Sequence, residues 1–235
     1  MYLKRYSAPE QWKIQKKAYT WVSRASPGPH PLKMSIPLQI LVRDVLKFTD
    51  TSKEAQKIIK SGKILVDKKE RKDPRYPVGL MNLIDIPSLK KTYRVFPDKK
   101  SLFVNEVKED STKLCRINGK RTLKKGLFQL TLHDGRNLLT NENLYKLGDS
   151  LLINLPDQKI LKHFQLKTGE SAFVISGKNV GFYGVIKDIK ERKYMRESSK
   201  VVLEKEKTKI ETLKDYVLVG SLEGVEKTEK KKKNE

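Results

Sequence analysis

The sequence predicts an α+β fold in which β-structure dominates, and three observations support this. Helical periodicity of apolar residues is confined to the stretch between Leu38 and Ile59. From about Thr92 onward the apolar residues form short runs with partial alternation, which is typical of β-strands. Turn signals such as Asp134-Gly135 separate these runs. Many short strands with regularly spaced turns indicate one or two small barrels after the helical part.

The composition indicates a polyanionic partner. The 235-residue chain has 51 Lys and Arg against 28 Asp and Glu, a formal net charge of +23. A compact chain with that surplus repels itself unless a partner supplies negative charge, and nucleic acid is the partner that this balance favours. The alternative is a merely solvated, lysine-rich surface.

Several functional classes lack the residues they need. One cysteine and three histidines cannot supply the ligands of a structural zinc site, and a disulfide framework is excluded. Cys115 lies in an alternating strand pattern and is predicted to be a core residue. None of His30, His133 and His163 has a plausible catalytic partner by spacing. No apolar run is long enough to span a membrane, and no signal peptide is evident. We therefore expect no catalytic residues, no metal, no cofactor, no small-molecule substrate and no membrane partner.

Residues 1–35 are predicted to form a basic arm. Ser7 and Glu10 have the spacing of a capping box, which predicts a short helix, and the prolines of SPGPHP end it. Trp12 and Trp21 argue against a floppy terminus, so we expect an arm that orders on a partner. The two rings either stack on bases or pack against the protein itself. The cations predicted to contact RNA here are Lys4, Arg5, Lys13, Lys16, Lys17 and Arg24.

Two helices and a basic loop are predicted to follow. Leu38, Leu41, Val42, Val45 and Leu46 have helical spacing behind Pro37. Thr51 and Glu54 form a second capping box, Ala55, Ile58 and Ile59 give the next helix a buried side, and Gly62 ends it. A strand, a charged loop and an apolar return to residue 86 complete the unit. A row of lysines on a helix is more often a solvated face, but the adjacent basic loop favours a binding surface. The predicted RNA-binding residues are Lys53, Lys57, Lys60, Lys63, Lys68, Lys69, Arg71, Lys72 and Arg75.

Short strands are predicted through the rest of the chain, with hairpin turns at Asn118-Gly119 and Asp134-Gly135. The predicted strands are 102–107, 113–117, 128–132, 151–155, 160–166, 172–175, 184–189, 200–203 and 216–219.

The stretch SGKNVGFYGVI, residues 176–186, raises the question of a nucleotide-binding loop. Asn179 follows Gly177-Lys178, so the hydroxyl that would hold Mg²⁺ in a P-loop is missing. The residues after Gly184 have strand character, which also excludes a dinucleotide fingerprint. Gly177, Gly181 and Gly184 are predicted at hairpin and bulge positions with positive φ, and Lys178 is a candidate RNA contact.

Motifs along nearly the whole chain resemble a known family. They are LKRYSAPEQW, SPGPHP followed by SIPL and RDVL, EAQKIIKSGKILVD, YPVGLMNLIDI, HDGRN and ISGKNVGFYGVI. Together they resemble the archaeal and eukaryotic small-subunit ribosomal protein family S4e. Residues 36 to about 86 resemble the S4-type RNA-binding module, and residues 168–190 resemble the KOW motif of small SH3-like barrels. Lys68 departs from the family pattern, in which glycine is expected after Val66-Asp67.

The resemblance implies a structural protein of the small ribosomal subunit, bound to ribosomal RNA and neighbouring ribosomal proteins in the cytoplasm, without catalysis. Together with the patterns above, it predicts five segments: a basic arm (1–35), an S4-type module (36–90), a central β domain (91–165), a KOW-type SH3-like barrel (166–220) and a basic tail (221–235). Two alternatives stay open. One is a factor that binds RNA during ribosome assembly or transcription, and the other is an RNA-modifying enzyme such as a pseudouridine synthase.

Overall fold

The protein folds as a mostly β, α+β chain with few helices, as predicted. The structure is a computed structural model that describes residues 2–98, 102–107, 111–192, 194, 197–205 and 208–220. The chain divides into two compact units, Met1–Lys113 and Leu114–Glu235. The predicted basic tail, residues 221–235, lies outside the described residues.

The N-terminal unit combines two helical segments with antiparallel strands. Helix α1 (Leu38–Ile40) continues as a π-helical turn (Leu41–Val45), and α2 spans Ser52–Lys60. The strand orders are β1-β2, β3-β6 and β5-β4-β7-β8-β9. The strands are β1 (Tyr2–Lys4), β2 (Trp21–Ser23), β3 (Ser35–Pro37), β4 (Leu65–Val66), β5 (Lys69–Glu70), β6 (Pro77–Gly79), β7 (Leu83–Ile86), β8 (Lys91–Pro97) and β9 (Leu102–Val107).

The predicted helical periodicity is confirmed in the core of this unit. Leu38, Leu41 and Val42 are buried from α1 and its π-helical turn, and Ala55 and Ile59 are buried from α2. All five belong to one apolar cluster with residues of β4, β7 and β8. The helices therefore lie against the five-stranded sheet, which leaves the opposite side of α2 free for charged residues.

Both ends of α2 are formed as the sequence predicts. The Thr51 hydroxyl accepts a hydrogen bond from the backbone N–H of Glu54, and the Glu54 carboxylate accepts one from the backbone N–H of Thr51. This reciprocal pair is a capping box. After the helix, Gly62 has a φ of +76°, the left-handed conformation that ends helices.

The predicted helix in the N-terminal arm is wrong. Glu10–Trp12 is a single 3₁₀ turn without a side-chain cap, and Lys13 after it has a φ of +48°. Residues 21–23 form β2, which pairs with β1 in the register Lys4↔Trp21 and Leu3↔Val22. Tertiary packing overrides the local helix signal here, because Trp12 and Val22 are buried in the main core cluster. The arm is thus folded onto its own unit.

The C-terminal unit contains two five-stranded antiparallel sheets, β12-β11-β10-β13-β14 and β18-β17-β16-β15-β19. The first two residues of β10 belong to the N-terminal unit. The strands are β10 (Thr112–Thr122), β11 (Phe128–Leu132), β12 (Asn137–Thr140), β13 (Ser150–Asn154), β14 (Ile160–Phe164), β15 (Ser171–Val174), β16 (Tyr183–Lys190), β17 (Lys200–Lys205), β18 (Thr208–Leu213) and β19 (Val217–Val219).

Of the two predicted hairpin turns in this unit, one is confirmed and one is wrong. Asp134-Gly135 joins β11 to β12, and Gly135 has a φ of +75°. Asn118-Gly119 instead lies inside β10, where the register opposite β11 shifts between Ile117 and Gly119. That shift is a β-bulge, in which an extra residue is absorbed without reversing the chain.

Several strands were missed, and β8 and β18 are the longest of them. β18 is a charged edge strand with little apolar alternation, so its sequence lacks the period-2 signal. β8 is buried along most of its length between β7 and β9, and Arg94 interrupts its apolar run. Its pairing places residues 91–97 in the sheet of the N-terminal unit.

The glycine stretch at 176–186 forms a turn between β15 and β16. Gly177 and Gly181 have φ values of +90° and +82°, which confirms the positive-φ prediction at those positions. Gly184 is different: its φ is not positive, but a Cβ there would lie 2.8 Å from the carbonyl oxygen of Glu204 on β17. Gly184 therefore allows β16 and β17 to approach each other closely.

Candidate nucleic-acid interface

The exposed side of α2 carries the predicted lysines. Lys53, Lys57 and Lys60 are all exposed, and Lys63 is exposed just beyond the helix. Their side chains make no ion pair or hydrogen bond with any residue of the described segments. The helical periodicity places the three helical lysines opposite the buried Ala55 and Ile59. The result is a row of unneutralised ammonium groups on a rigid element.

After α2 the chain forms a β-hairpin, β4–β5, whose two strands are joined by a two-residue loop. Asp67 and Lys68 at its tip have φ values of +53° and +61°, the signature of a type I′ turn. The Lys68 ammonium group lies 3.2 Å from an oxygen of Asp85, a carboxylate that is 7% exposed. The turn geometry that glycine would favour is thus kept with lysine, and this lysine is engaged within the protein.

The Asp67 carboxylate anchors the hairpin from inside. It accepts hydrogen bonds from the Leu83 backbone N–H at 3.0 Å, from the Asn82 side-chain amide at 2.9 Å and from the Lys113 ammonium group at 2.8 Å. The Lys113 side chain is 0% exposed. A buried charge pair needs such additional hydrogen bonds to offset its desolvation. Lys113 is consequently a structural cation, unlike the lysines of α2.

The loop from Lys69 to Arg75 continues the basic surface with mixed engagement. Lys69 is exposed, whereas the Lys72 ammonium group lies 3.3 Å from a Glu70 oxygen. The Arg71 guanidinium stacks over the Tyr76 ring at 4.6 Å. The Arg75 backbone N–H donates to the Asp73 carboxylate, which fixes the loop.

The N-terminal cations do not form the single stripe that a helix would give. Arg5 is 3% exposed, and its guanidinium donates to the Gln15 carbonyl at 2.6 Å and lies over the Tyr19 ring. Arg5 is therefore a structural residue. Lys13 lies 3.8 Å from Asp98, and Lys16 lies 6.0 Å from the centre of the Tyr6 ring. The exposed members of the predicted set are Lys4, Lys13, Lys17 and Arg24.

A cleft of about 430 Å³ adjoins the α2 lysines. Trp21 and Val22 of β2, residues of α1 and α2, and residues 73–75 line it. Lys60 and Arg75 from the predicted set meet there. Sequence reasoning missed Gln39, Arg43 and Gln56 in its wall. A signal for Gln56 was present, since it lies one helical turn before Lys60 and so shares its face.

Charge is arranged differently in the C-terminal unit, where cross-strand ion pairs engage several lysines. The Lys187 ammonium group on β16 lies 2.7 Å from the Glu204 carboxylate on β17, and Lys209 of β18 lies 3.6 Å from the same carboxylate. The hydrogen bond and the attraction raise the pKa of Lys187 and lower the pKa of Glu204. Lys178 is exposed in its turn.

No helix in the described segments is long and apolar enough to cross a membrane. Nor do they contain a cluster of three or more His, Cys, Asp or Glu side chains that could hold a metal ion. Cys115 is buried, as predicted.

Family models match three parts of the chain. The model of ribosomal family S4e matches residues 89–160, the RS4NT domain matches residues 2–33, and the S4 domain matches residues 36–84. The matched S4 domain contains the two helices, the lysine row and the β4–β5 hairpin.

Similar proteins span nearly the full length. The sequence is 40% identical over 228 residues to small ribosomal subunit protein eS4 of Methanocaldococcus jannaschii, covering 93% of each chain. It is 39% identical over 221 residues to the protein of that name from Methanothermobacter thermautotrophicus, covering 93% of this chain and 91% of the relative. The crystal structure of 30S ribosomal protein S4e from Thermoplasma acidophilum matches with a TM-score of 0.70 at 28% identity, covering 81% of this chain and 96% of that one. The chain therefore belongs to ribosomal family S4e.

Proposed function

We propose that this chain is a structural constituent of the small ribosomal subunit, where it binds ribosomal RNA and supports translation. The carrying observation is the row of exposed lysines on α2 and just after it, which no described acidic group neutralises, within an S4 domain. The proteins it resembles over 93% of its length are named small ribosomal subunit proteins. In this role the protein acts in the ribosome, hence in the cytoplasm, and without catalysis.

The proposed contact surface is the side of the S4 domain formed by α2, the β4–β5 hairpin and the following loop. Between Lys53 and Arg75 the chain carries nine Lys and Arg against four Asp and Glu. One of those acids, Asp67, is buried and paired with Lys113, so it does not offset the surface charge. Cations on a rigid helix neutralise phosphates and release counterions, which gives affinity without sequence readout. RNA helices are recognised mostly by shape, phosphates and 2′-hydroxyls, and this surface offers that kind of contact.

Two of the cations predicted from the sequence do not belong to the proposed RNA-binding set. Arg5 is buried, and Lys68 is paired with Asp85. The remaining proposed contacts are Lys4, Lys13, Lys16, Lys17, Arg24, Lys53, Lys57, Lys60, Lys63, Lys69, Arg71, Lys72, Arg75 and Lys178. Neighbouring ribosomal proteins are the other proposed partners.

We also propose that the C-terminal sheet β18-β17-β16-β15-β19 is a KOW-type SH3-like barrel with the turn at 176–181 as its KOW loop. The glycine conformations at Gly177 and Gly181 and the close strand approach at Gly184 support this. The five-segment division stays a proposal. Because β8 pairs with β7 and β9 pairs with β8, the sheet argues for ending the second segment nearer residue 107 than residue 90.

Charge reversal on the lysine row tests the proposal. In the full chain, changing Lys57, Lys60 and Lys63 together to Glu should weaken binding to small-subunit ribosomal RNA. It should also flatten the dependence of the logarithm of the binding constant on the logarithm of salt concentration by about two to three units, because each lost phosphate contact removes close to one. Filter binding or fluorescence anisotropy across a salt series measures both quantities.

A matched control changes the same net charge elsewhere. The C-terminal unit has three exposed lysines outside the proposed surface: Lys159, Lys162 and Lys167. Changing them to Glu should leave the dependence of the binding constant on salt concentration largely unchanged. Circular dichroism should show both variants folded. An unchanged salt slope in the α2 variant, or equal slopes in the two variants, would contradict the proposed surface.

A further inference from the structure

We propose that the cleft beside α2 is a binding site for one unpaired RNA nucleotide, with its base stacked on Trp21. The inference rests on the proposed function and adds the form of RNA that is recognised. A lysine row alone recognises phosphates in any RNA. A cleft that combines an aromatic face, open amide groups and cations recognises a base that has left its helix.

Trp21 presents an indole to solvent where a core residue would be covered. The side chain is 55% exposed although tryptophan is among the most apolar residue types. In β2 the neighbouring Val22 points into the core, so the alternation of the strand puts Trp21 on the outer face. Lys4 lies directly opposite Trp21 in the register of β1 and β2. An exposed ring next to a cation is the arrangement with which proteins hold single-stranded nucleic acid.

Two glutamine side chains in the cleft wall have unused hydrogen-bonding capacity. Gln39 is 5% exposed, and its side-chain amide makes one long bond of 3.5 Å, from its nitrogen to the Ser52 carbonyl. Within the described segments, its side-chain oxygen and the whole side-chain amide of Gln56 make no hydrogen bond. The unbonded atoms of both amides are open to solvent in the cleft, so a ligand can replace the water that satisfies them. The donor and acceptor of an amide match the edge of a nucleobase, adenine above all.

The charge of the cleft suits the phosphate of the same nucleotide. Lys60 and Arg75 line it, and Arg43 is held in its wall by Asp44 at 2.7 Å and by the Ser52 hydroxyl. Asp73 is the acidic group in the lining. The volume of about 430 Å³ lies within the range of roughly 300–1,000 Å³ that small-ligand clefts occupy.

A second cleft of about 740 Å³ indicates the path of the strand. Trp21, Arg43 and Ser52 line both clefts, and the second also contains Tyr19 and Lys47, together with the acidic Asp44 and Asp50. A single strand that passes from one cleft to the other therefore crosses Trp21.

Tryptophan fluorescence of the full chain provides the test. The protein has two tryptophans, and Trp12 is 0% exposed with its indole N–H donated to the Ser35 carbonyl. Quenching by RNA thus reports on Trp21. Hexaadenylate should quench the emission, whereas an abasic strand with the same number of phosphates should not. Hexaadenylate should also bind about tenfold more tightly than the abasic strand, the increment of one base–aromatic stack.

Variants separate stacking from charge. Trp21→Ala should raise the dissociation constant for hexaadenylate about tenfold and leave that for the abasic strand unchanged. It should also abolish the quenching. Gln56→Ala should keep the quenching and weaken the binding of hexaadenylate about three- to tenfold. The control is Tyr6→Ala, which removes an aromatic ring that is 75% exposed but lies outside both clefts, and it should change neither quantity.

Equal binding of hexaadenylate and the abasic strand by the wild-type protein would overturn the proposed nucleotide site. An equal loss of hexaadenylate affinity in the Trp21 and Tyr6 variants would overturn it as well. In that case ribosomal RNA binding that still depends on Lys57, Lys60 and Lys63 would leave the proposed function standing. Absence of any ribosomal RNA binding by the wild-type chain would instead refute the proposed function itself.

Discussion

At the scale of single residues, the surroundings of each cation decide its role. Lys57 extends into solvent without a described partner, Lys113 is fully buried on Asp67, and Arg5 is buried against a backbone carbonyl. All three carry the same charge in the sequence. Free ammonium groups are available to a phosphate, whereas the buried ones have exchanged water for protein partners and stabilise the fold.

Lys68 gives a residue-scale prediction about backbone conformation. Its φ of +61° strains any residue with a Cβ, so Lys68→Gly should be more stable than Lys68→Ala by about 1 kcal/mol. Both variants lose the ion pair with Asp85, so their difference isolates the backbone. Urea unfolding of the two variants measures it.

Lys57 supplies the control for this pair, because it lies in the interior of α2. There the order should reverse, with Lys57→Ala more stable than Lys57→Gly by about 1 kcal/mol. The same order at both positions would show that the left-handed turn is not what distinguishes Lys68.

At the scale of elements, the candidate interface depends on how α2 and the β4–β5 hairpin are held. The helix is capped at its start by Thr51 and Glu54, and its apolar side packs into the core. The hairpin is held from below by Asp67, which joins β7 through Leu83 and the start of β10 through Lys113. The lysine row is therefore carried by elements that the protein's own contacts hold in place, an arrangement that would reduce the entropic cost of the proposed RNA binding.

The Asp67–Lys113 pair gives an element-scale prediction. Asp67→Ala or Lys113→Met alone leaves one buried charge without its partner, so each should lower the free energy of unfolding by about 3–5 kcal/mol. The double variant should lose less than the sum of the two, because neither charge remains. Urea denaturation of the four proteins completes the cycle. Additive losses would show that the two groups do not stabilise each other.

At the scale of the whole molecule, the net charge and the family membership both indicate a role in the ribosome. A net charge of +23 over 235 residues leaves a large positive surplus after the internal ion pairs are formed. Several basic surfaces on one chain bind a large RNA with additive electrostatic gain, so such a protein should be retained as a stoichiometric component.

Sedimentation tests this role against the assembly-factor alternative. The protein should remain at one copy per small subunit, measured by quantitative mass spectrometry of the purified particles, through a high-salt wash. Loss at moderate salt, or amounts well below one copy, would favour a transient assembly factor. Turnover of an RNA substrate by the pure protein would favour the enzyme alternative.

Much of the fold could be predicted from residues that lie close together in the sequence. The two helical segments, the Thr51–Glu54 capping box, the left-handed Gly62 and the Asp134-Gly135 hairpin all follow from periodicity and turn chemistry within a few positions. The lysine row follows from the same periodicity, because the side opposite a buried helical stripe faces solvent. Local patterns specify local structure wherever tertiary packing agrees with them.

The sequence by itself determined the charge, the α+β class dominated by strands, the lysine side of α2 and the family resemblance. The tertiary structure alone decided that residues 10–24 form a turn and a strand, that Arg5 and Lys68 point to protein partners, and that Trp21 borders a cleft. The physical reason is distance along the chain. The indole N–H of Trp12 meets Ser35 23 residues away, and Lys113 meets Asp67 46 residues away. Such contacts depend on how the whole unit packs, and no periodicity within a short segment records them.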